Sequence, residues 1–252
     1  MAGILVYALH YEGAINKNSL GAVSEGARLA SELGGECHAI VVGGDDLTDD
    51  LASSIGAHGA TKVYRANAPE GLAQPVVDAM AKVMTDNDIQ YALFGGGLLG
   101  FEIGAGLAAR LNAGVTMEVT NVAVEGGKLV AERPILGDSA ISEIEFRSDV
   151  GIIIGRLNAF EAKESGGGAA TVEDVQVELS PHAQQATMVQ RGEQRGADVE
   201  IDASMVGEDG SKVVCGDFKA PPKKAAGEII EDEDTNETVE QIVAWLDERK
   251  LI

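Results

Sequence analysis

The residues best suited to bind an anionic ligand are three consecutive glycines, Gly95–Gly97, which follow the apolar run Tyr91–Phe94. A helix rich in small residues is expected shortly after them. In a parallel α/β sheet, a glycine turn between a strand and a helix lets backbone N–H groups approach phosphate or a similar anion. Tight packing of a helix on a strand would require the same glycines, so both interpretations remain open. The spacing matches neither a GxGxxG opening beside the first strand nor a GxxxxGK[ST] loop, because no lysine follows.

Other residues that could do chemistry do not form a recognisable constellation. Ser139 and Ser142 have no histidine nearby in the sequence, so no nucleophile and base are predicted. Asp45 and Asp46 follow a glycine pair and are interpreted as helix caps rather than as catalytic carboxylates. No metal site is predicted, because the histidines lack metal-ligand spacing; they are His10, His38, His58 and His182.

The composition predicts an α/β protein with an aliphatic core. Apolar residues make up 45% of the 252 residues, but aromatic residues only 4%. The 32 glycines and 6 prolines suit many tight turns between strands and helices. Two cysteines are too few for a disulfide scaffold, and Cys37 lies in an apolar run, where it is expected to be a core residue.

The charge and hydropathy of the chain restrict its partners. The formal charge of −22, from 41 acidic and 19 basic side chains, argues against nucleic acid or an anionic membrane. Solubility, adaptation to high salt and a surface for a basic partner remain as explanations. No apolar run approaches the roughly 20 residues that a membrane-spanning helix needs. The N-terminus lacks the charged region and cleavage site of a signal peptide, so a cytoplasmic protein is expected.

The order of the apolar runs predicts a three-layer, Rossmann-like parallel sheet. Four strand–helix units follow one another, with strands expected at residues 3–9, 38–42, 62–65 and 89–94. The period then changes: extended strands are predicted at 114–124 and 128–135, around the turn Glu125-Gly126-Gly127, and at 141–146 and 150–154. An antiparallel extension of the parallel sheet fits this order. Residues 1–160 are therefore predicted to form one α/β domain.

The remaining residues, 161–252, are predicted to form a linker, an extended arm and a C-terminal amphipathic helix. Residues 163–168 (KESGGG) have the composition of a flexible linker, and residues 172–179 alternate as one edge strand would. Between residues 180 and 234 the sequence has little periodicity and much charge. The helix is predicted from an apolar stripe, which is formed by Val239, Ile242, Val243 and Leu246.

Several segments, in order, resemble the alpha subunits of the electron transfer flavoprotein family. Gly100-Phe101-Glu102 and AARLNAG at 108–114 resemble the region "GATALGRDLAPRLAARLGAG" of those subunits. RPILGDSA at 133–140 resembles their "RPIYAGNA", and RLNAF at 156–160 resembles their "RPGAF". The opening Ile4–Tyr7 and the helix end at 29–35 also fit, so the resemblance covers about 160 residues.

The resemblance implies an adenine nucleotide alpha hydrolase-like fold, electron transfer, and FAD shared with a second electron transfer flavoprotein subunit. A flavin dehydrogenase would be the electron donor, and AMP is a second candidate ligand. The chain departs from the alpha pattern because it lacks the second domain that holds most FAD contacts. Its length and its tail from residue 221 onward are similar to the beta subunit instead. The beta motif "DDDxxQTG" is replaced here, and Phe101 and Leu136 stand where alpha subunits have arginine and tyrosine.

The predicted function is an electron transfer flavoprotein-like subunit in a heteromeric complex, without a catalytic residue of its own. An AMP- or ATP-binding module without electron transfer and a structural subunit of a larger oxidoreductase remain as alternatives. Arg133 and Arg156 are the candidates for contacts to a flavin or to the partner chain, although surface arginines at strand ends would look the same. The full set of candidate cofactor-binding residues is Leu9, Gly43, Gly44, Gly95, Gly96, Gly97, Gly100, Glu102, Gly104, Arg133 and Arg156.

Overall fold

The computed structural model describes residues 3–189 and 235–248. The chain divides into two compact units, Met1–Gly192 and Glu193–Ile252, and each is described by itself. The first unit contains both of the larger sheets. Of the second unit, only one helix lies within the described residues.

A parallel sheet of seven strands forms the centre of the first unit. Every neighbouring pair in this sheet is parallel, and the central strand is buried on both faces because helices cover each side. The α/β class predicted from the sequence is confirmed. Across the sheet, the strands are β12 (Thr171–Val175), β5 (Lys62–Asn67), β4 (Cys37–Gly43), β1 (Ile4–Tyr7), β6 (Tyr91–Phe94), β11 (Gly151–Gly155) and β7 (Gly114–Val119).

Helices pack on both faces of this sheet and give it two aliphatic cores. Alternate residues of β1 serve the two faces: Leu5 packs with α3 and α4, while Ile4 packs with α1. Cys37 lies in the second core as expected, and burial raises the pKa of its thiol to about 12. The helices of this unit are α1 (Lys17–Leu33), α2 (Asp49–Ser54), which continues as a 3-10 turn over Ile55–His58, α3 (Ala73–Asp86) and α4 (Leu98–Leu111).

Two small antiparallel sheets accompany the parallel one. A hairpin directly after β1 pairs β2 (His10–Tyr11) with β3 (Ala14–Ile15). The larger consists of β8 (Asn121–Glu125), β9 (Lys128–Ile135) and β10 (Ala140–Glu145) and packs on the same face as α1. The antiparallel strands therefore lie in two sheets that are separate from the parallel sheet.

The single strand predicted over residues 114–124 is wrong, because the chain bends inside it. Glu118 adopts a left-handed backbone conformation with φ 60° at this bend. The residues before the bend form β7 and pair with β11 in the parallel sheet, and those after it form β8. One apolar run in the sequence thus serves two different sheets.

The segment 156–170 connects β11 to β12 at the far edge of the sheet, and we call it the crossing segment. It packs directly against α1 and the 3-10 turn. A Cβ on Gly21 would lie 2.1 Å from the carbonyl oxygen of Phe160, and a Cβ on Gly56 would lie 2.3 Å from the nitrogen of Ala170. The 163–168 stretch, whose composition predicts a flexible linker, is hydrogen-bonded here: the backbone N–H of Ser165 donates to the carbonyl oxygen of Ala57 over 2.8 Å.

The sheet includes residues beyond 160, the domain boundary predicted from composition, since β12 pairs with β5 from Thr171 to Val175. The second unit supplies α5 (Thr235–Glu248) in the stretch where the apolar stripe predicts a helix. The predicted arm between residues 190 and 234 lies outside the described residues. Within the described part of the chain, no helix is long and apolar enough to cross a membrane.

Candidate functional site

The order of the strands creates a crevice between β1 and β6. From β1 the chain adds β4 and then β5 on one side, and it then returns to add β6 on the other side. The helices that follow β1 and β6 consequently lie on opposite faces of the sheet. In open α/β sheets, ligands bind in the crevice at the carboxyl ends of the strands where the strand order reverses.

A pocket of about 240 Å³ occupies this crevice, and we call it the glycine pocket. It brings together five residues of the predicted set, namely Leu9, Gly95, Gly96, Gly97 and Gly100. The backbone N–H of Leu9 donates to the hydroxyl of Ser19 at the start of α1, which ties the end of β1 to that helix. The other lining residues are Tyr7, Asn16, Asn18, Ser19, Phe94, Leu98, Leu99 and Leu157.

Two of the three consecutive glycines are needed for close packing, and the third is needed for its backbone conformation. A Cβ on Gly95 would lie 2.5 Å from the carbonyl oxygen of Asn18, and a Cβ on Gly96 would lie 2.3 Å from the nitrogen of Leu157. These two glycines are therefore required by close packing of the backbone. A Cβ on Gly97 would meet no atom within 4 Å, but its φ of 136° and ψ of 158° belong to a region that is essentially limited to glycine.

The N-terminus of α4 opens into the glycine pocket without a side-chain cap. Gly97 is its N-cap and has no side chain to accept hydrogen bonds, and the first turn carries no acidic residue. The N–H groups of Leu98, Leu99 and Gly100 have no acceptor within the helix, and the helix dipole adds a partial positive charge there. The start of α1 differs, because the Asn16 side chain accepts from the N–H of Asn18 and Ser19. Of α1 and α4, only α4 therefore begins without a side-chain acceptor for its first N–H groups.

Several predicted residues lie outside the glycine pocket. Gly43 is the last residue of β4 and Gly44 follows it, and both line a separate depression beside Arg65 and Asp174. Gly104 is buried, and a Cβ there would lie 2.5 Å from the side chain of Ile154, so it serves packing. Glu102 is exposed on α4 and does not line the glycine pocket.

The two predicted arginines differ in their surroundings. Arg156 Nε donates to Glu118 Oε2 over 3.0 Å, and its Nη2 donates to Asp138 Oδ1 over 2.9 Å. Its guanidinium is therefore engaged within the chain, and it holds the turn between β9 and β10 next to the end of β11. Arg133 lies on β9, and its Nε is buried without a hydrogen-bond partner in the described part of the protein.

The pair of Arg156 and Asp138 gives a pH-dependent prediction. The hydrogen bond from Arg156 lowers the pKa of Asp138 below its ordinary value of 3.8. The pair is therefore expected to stabilise the β9–β10 turn above pH about 4 and to be lost as the pH falls through the lowered pKa. A carbon-13 carboxyl NMR titration of the full chain should show this. In Arg156→Gln the pKa of Asp138 should rise towards its ordinary value, and an unchanged titration would contradict the assignment.

Apolar side chains at the mouth of the glycine pocket are exposed to solvent. Leu98 is 85% exposed and Leu157 is 56% exposed, and both line the pocket. We call these two leucines the apolar rim. Leu136, in the turn that Arg156 holds, is 80% exposed. Exposed apolar side chains grouped beside a pocket are a common feature of interaction surfaces.

Sequence reasoning missed a cluster of His10, Asp46 and Glu70 at the same edge of the sheet. His10 Nδ1 lies 3.5 Å from Asp46 Oδ2, and His10 Nε2 lies 3.7 Å from Glu70 Oε2. The interpretation of Asp45 and Asp46 as helix caps is wrong, since Thr48 caps α2 by accepting from the N–H of Leu51. The sequence spacing of the three residues does not indicate a cluster, because each residue follows a different strand and only the folded sheet brings them together.

Comparison with known proteins gives consistent results. The model of the electron transfer flavoprotein domain matches residues 4–180. Protein FixB of Clostridium saccharobutylicum is 34% identical over 188 residues, which are 71% of this chain and 54% of the relative. The electron transfer flavoprotein subunit alpha of Mycobacterium leprae (strain TN) is 33% identical over 192 residues, 75% of this chain and 57% of the relative.

A further relative is named acryloyl-CoA reductase electron transfer subunit beta, from Anaerotignum propionicum. It is 31% identical over 131 residues, which are 50% of this chain and 35% of the relative. The chain thus spans about half the length of the first two curated relatives and less of the third.

Proposed function

We propose that this chain, which belongs to the electron transfer flavoprotein family, works in a heteromeric complex that passes electrons from a flavin dehydrogenase to an acceptor. Membership makes it an electron transfer flavoprotein-like subunit. The partner would be a second subunit of the same family, and FAD would lie between the two chains. The observation that best supports this proposal is the uncapped N-terminus of α4 in the crevice between β1 and β6.

The residues of the glycine pocket fit one part of a dinucleotide. The free N–H groups of Leu98, Leu99 and Gly100 suit a phosphate group, and Gly97 leaves open space in front of them. The pocket of about 240 Å³ is smaller than the roughly 300–1,000 Å³ of complete small-molecule sites, which supports a site that a second chain completes. When bound, FAD supplies the electron-transfer chemistry, while this chain binds and orients it.

The apolar rim supports docking of the partner at the same place. Exposed leucines at a binding surface become favourable when a second chain removes them from water, by about 25 cal/mol for each Å² of apolar area. Leu98 and Leu157 both line the pocket and are exposed, so a partner that covers them would also exclude water from a ligand inside it. Of the two predicted arginines, Arg133 is the one whose Nε has no hydrogen-bond partner in the described part of the protein, and it is the candidate for a contact to that partner or to the flavin.

The test is to produce the chain together with its partner and to identify the bound small molecule. The purified complex is expected to be yellow, and denaturation should release a flavin that mass spectrometry identifies as FAD. A stable complex that is colourless and contains no adenine compound would contradict the proposal.

A second candidate is an AMP- or ATP-binding module. One uncapped helix N-terminus in a small pocket also suits a single nucleotide, and the depression at Gly43 and Gly44 offers another glycine-lined surface. Thermal unfolding of the isolated chain with AMP, ATP and FAD separates the two candidates. Stabilisation by AMP or ATP without any partner would favour the module, whereas FAD binding that requires the partner would favour the electron carrier.

A further inference from the structure

We propose that His10, Asp46 and Glu70 bind one divalent transition-metal ion of the zinc class at the carboxyl edge of the sheet. Each of the three residues follows a different strand: His10 follows β1, Asp46 follows β4 and Glu70 follows β5. One possible ligand atom of each residue lies within 4.8 Å of those of the other two. The inference goes beyond the proposed electron-transfer function and does not depend on it.

The first step is the hydrogen-bonding state of His10. Its side chain is only 1% exposed, and its Nε2 lies 3.0 Å from the carbonyl oxygen of Val42. A carbonyl oxygen can only accept a hydrogen bond, so Nε2 must carry the proton and donate it. In the neutral ring Nδ1 is then an acceptor, and in the described part of the protein this buried atom has no hydrogen-bond partner.

The second step is what surrounds the ring. Nδ1 faces Asp46 Oδ2, and the nearby Glu70 Oε2 is itself buried without a hydrogen-bond partner in the described part of the chain. The Nδ1 lone pair thus faces the Asp46 carboxylate with no donor between them, whereas Glu70 Oε2 lies 3.7 Å from Nε2 and has to turn towards Nδ1 to share an ion with Asp46. Buried acceptors left unpaired cost free energy, and a shared cation removes that cost.

The third step is the geometry. In tetrahedral zinc sites the bonds to nitrogen and oxygen are about 2.0–2.2 Å long, so two ligand atoms of one ion lie about 3.4 Å apart. The 3.5 Å between His10 Nδ1 and Asp46 Oδ2 matches this separation. The Nε2 bond to Val42 is also the contact that usually orients a histidine ligand, in which the other ring nitrogen donates to a backbone carbonyl.

The fourth step is the rigidity of the histidine. Gly43 lies against the ring, and a Cβ there would be only 2.6 Å from Nε2, so a larger residue would displace it. Asp46 and Glu70 are half-exposed carboxylates that can rotate towards an ion held at Nδ1. One imidazole nitrogen with two carboxylate oxygens suits zinc, manganese or cobalt better than calcium or magnesium, which prefer oxygen ligands alone.

The experiment titrates the full chain, stripped of metal by a chelator, with Zn²⁺ alone and with Co²⁺ alone. One ion per chain is expected, measured by calorimetry and by elemental analysis after desalting, and bound Co²⁺ should give visible absorption. Asp46→Asn and Glu70→Gln should each weaken binding at least tenfold. Asp45→Asn is the matched control, since it removes the same charge from the neighbouring exposed residue, and it should leave the affinity unchanged.

Three results would overturn the metal site. The first is the absence of stoichiometric binding. The second is an equal loss in Asp45→Asn and Asp46→Asn, which would show diffuse attraction of cations to a chain of charge −22. The third is a nitrogen-15 NMR spectrum in which both ring nitrogens of His10 stay protonated when zinc is present, because a proton would then fill the place of the ion. Each readout is independent of flavin and of electron transfer.

Discussion

Replacing Gly97 with valine is expected to abolish assembly with the partner chain and FAD. In the free chain the new side chain meets no atom within 4 Å, so its cost comes from the backbone, whose φ of 136° and ψ of 158° only glycine adopts readily. Strain of this kind costs about 1–3 kcal/mol, which a folded domain can tolerate. Binding suffers more, because the valine fills the space before the free N–H groups of α4. Flavin content and the affinity for the partner measure the loss, and urea unfolding checks the fold.

The control for this variant is Gly34→Val. Gly34 also has a left-handed backbone, with φ 68° and ψ 29°, and a Cβ there would likewise meet nothing within 4 Å. It ends α1 just before β4 begins, at the edge of the sheet opposite the glycine pocket. This variant should lose a similar amount of stability and still assemble. Full flavin binding by a folded Gly97→Val chain would show that the glycine pocket is not the site.

Changing Leu98 to aspartate is expected to weaken binding of the partner by about 30-fold, because loss of a central apolar anchor costs about 2 kcal/mol or more. The free chain should unfold at the same urea concentration, since Leu98 is 85% exposed and acidic residues are favourable in the first turn of a helix. Calorimetry or surface plasmon resonance with the partner gives the affinity.

The control is Val115→Asp, which also replaces an exposed apolar side chain with aspartate. Val115 is half-exposed and lies at the amino end of β7, away from the glycine pocket. It should cost up to about 1 kcal/mol in stability, as aspartate is unfavourable in strands, and leave the affinity for the partner unchanged. If both variants weaken the complex equally, the effect is one of charge and the apolar rim is not the docking surface.

The parallel sheet could be predicted from the sequence because its strands are short apolar runs bounded by turn residues. Ile4–Tyr7 and Tyr91–Phe94 are such runs, and both are strands. The break between β7 and β8 could not be predicted in this way. It lies at Glu118, whose carboxylate is held by Arg156 from a distant part of the chain, and no local residue pattern marks it.

The candidate site was predictable only in outline. A glycine in the sequence is compatible both with tight packing and with open space around it. Only the positions of Asn18 and Leu157 in the structure show that Gly95 and Gly96 are closely packed. No such neighbour lies near Gly97. The edge strand near residue 172 is visible as an alternating pattern, but the pattern cannot say that the strand joins β5 across the whole sheet. Contacts between the ends of strands that are distant in the sequence can be identified only once the fold is known.

The position of β12 also governs how the protein is made. A chain emerging from the ribosome completes β4 and β5 well before Thr171 appears, so β5 remains an unpaired sheet edge during most of synthesis. An open edge is where nascent chains pair wrongly with one another. Strand β12 closes it and brings Glu173 and Asp174, which pair with Lys62 and Arg65 and leave an acidic edge. Until the crossing segment has passed over α1 and β12 has paired with β5, the nascent chain therefore exposes a sheet edge at which aggregation can begin.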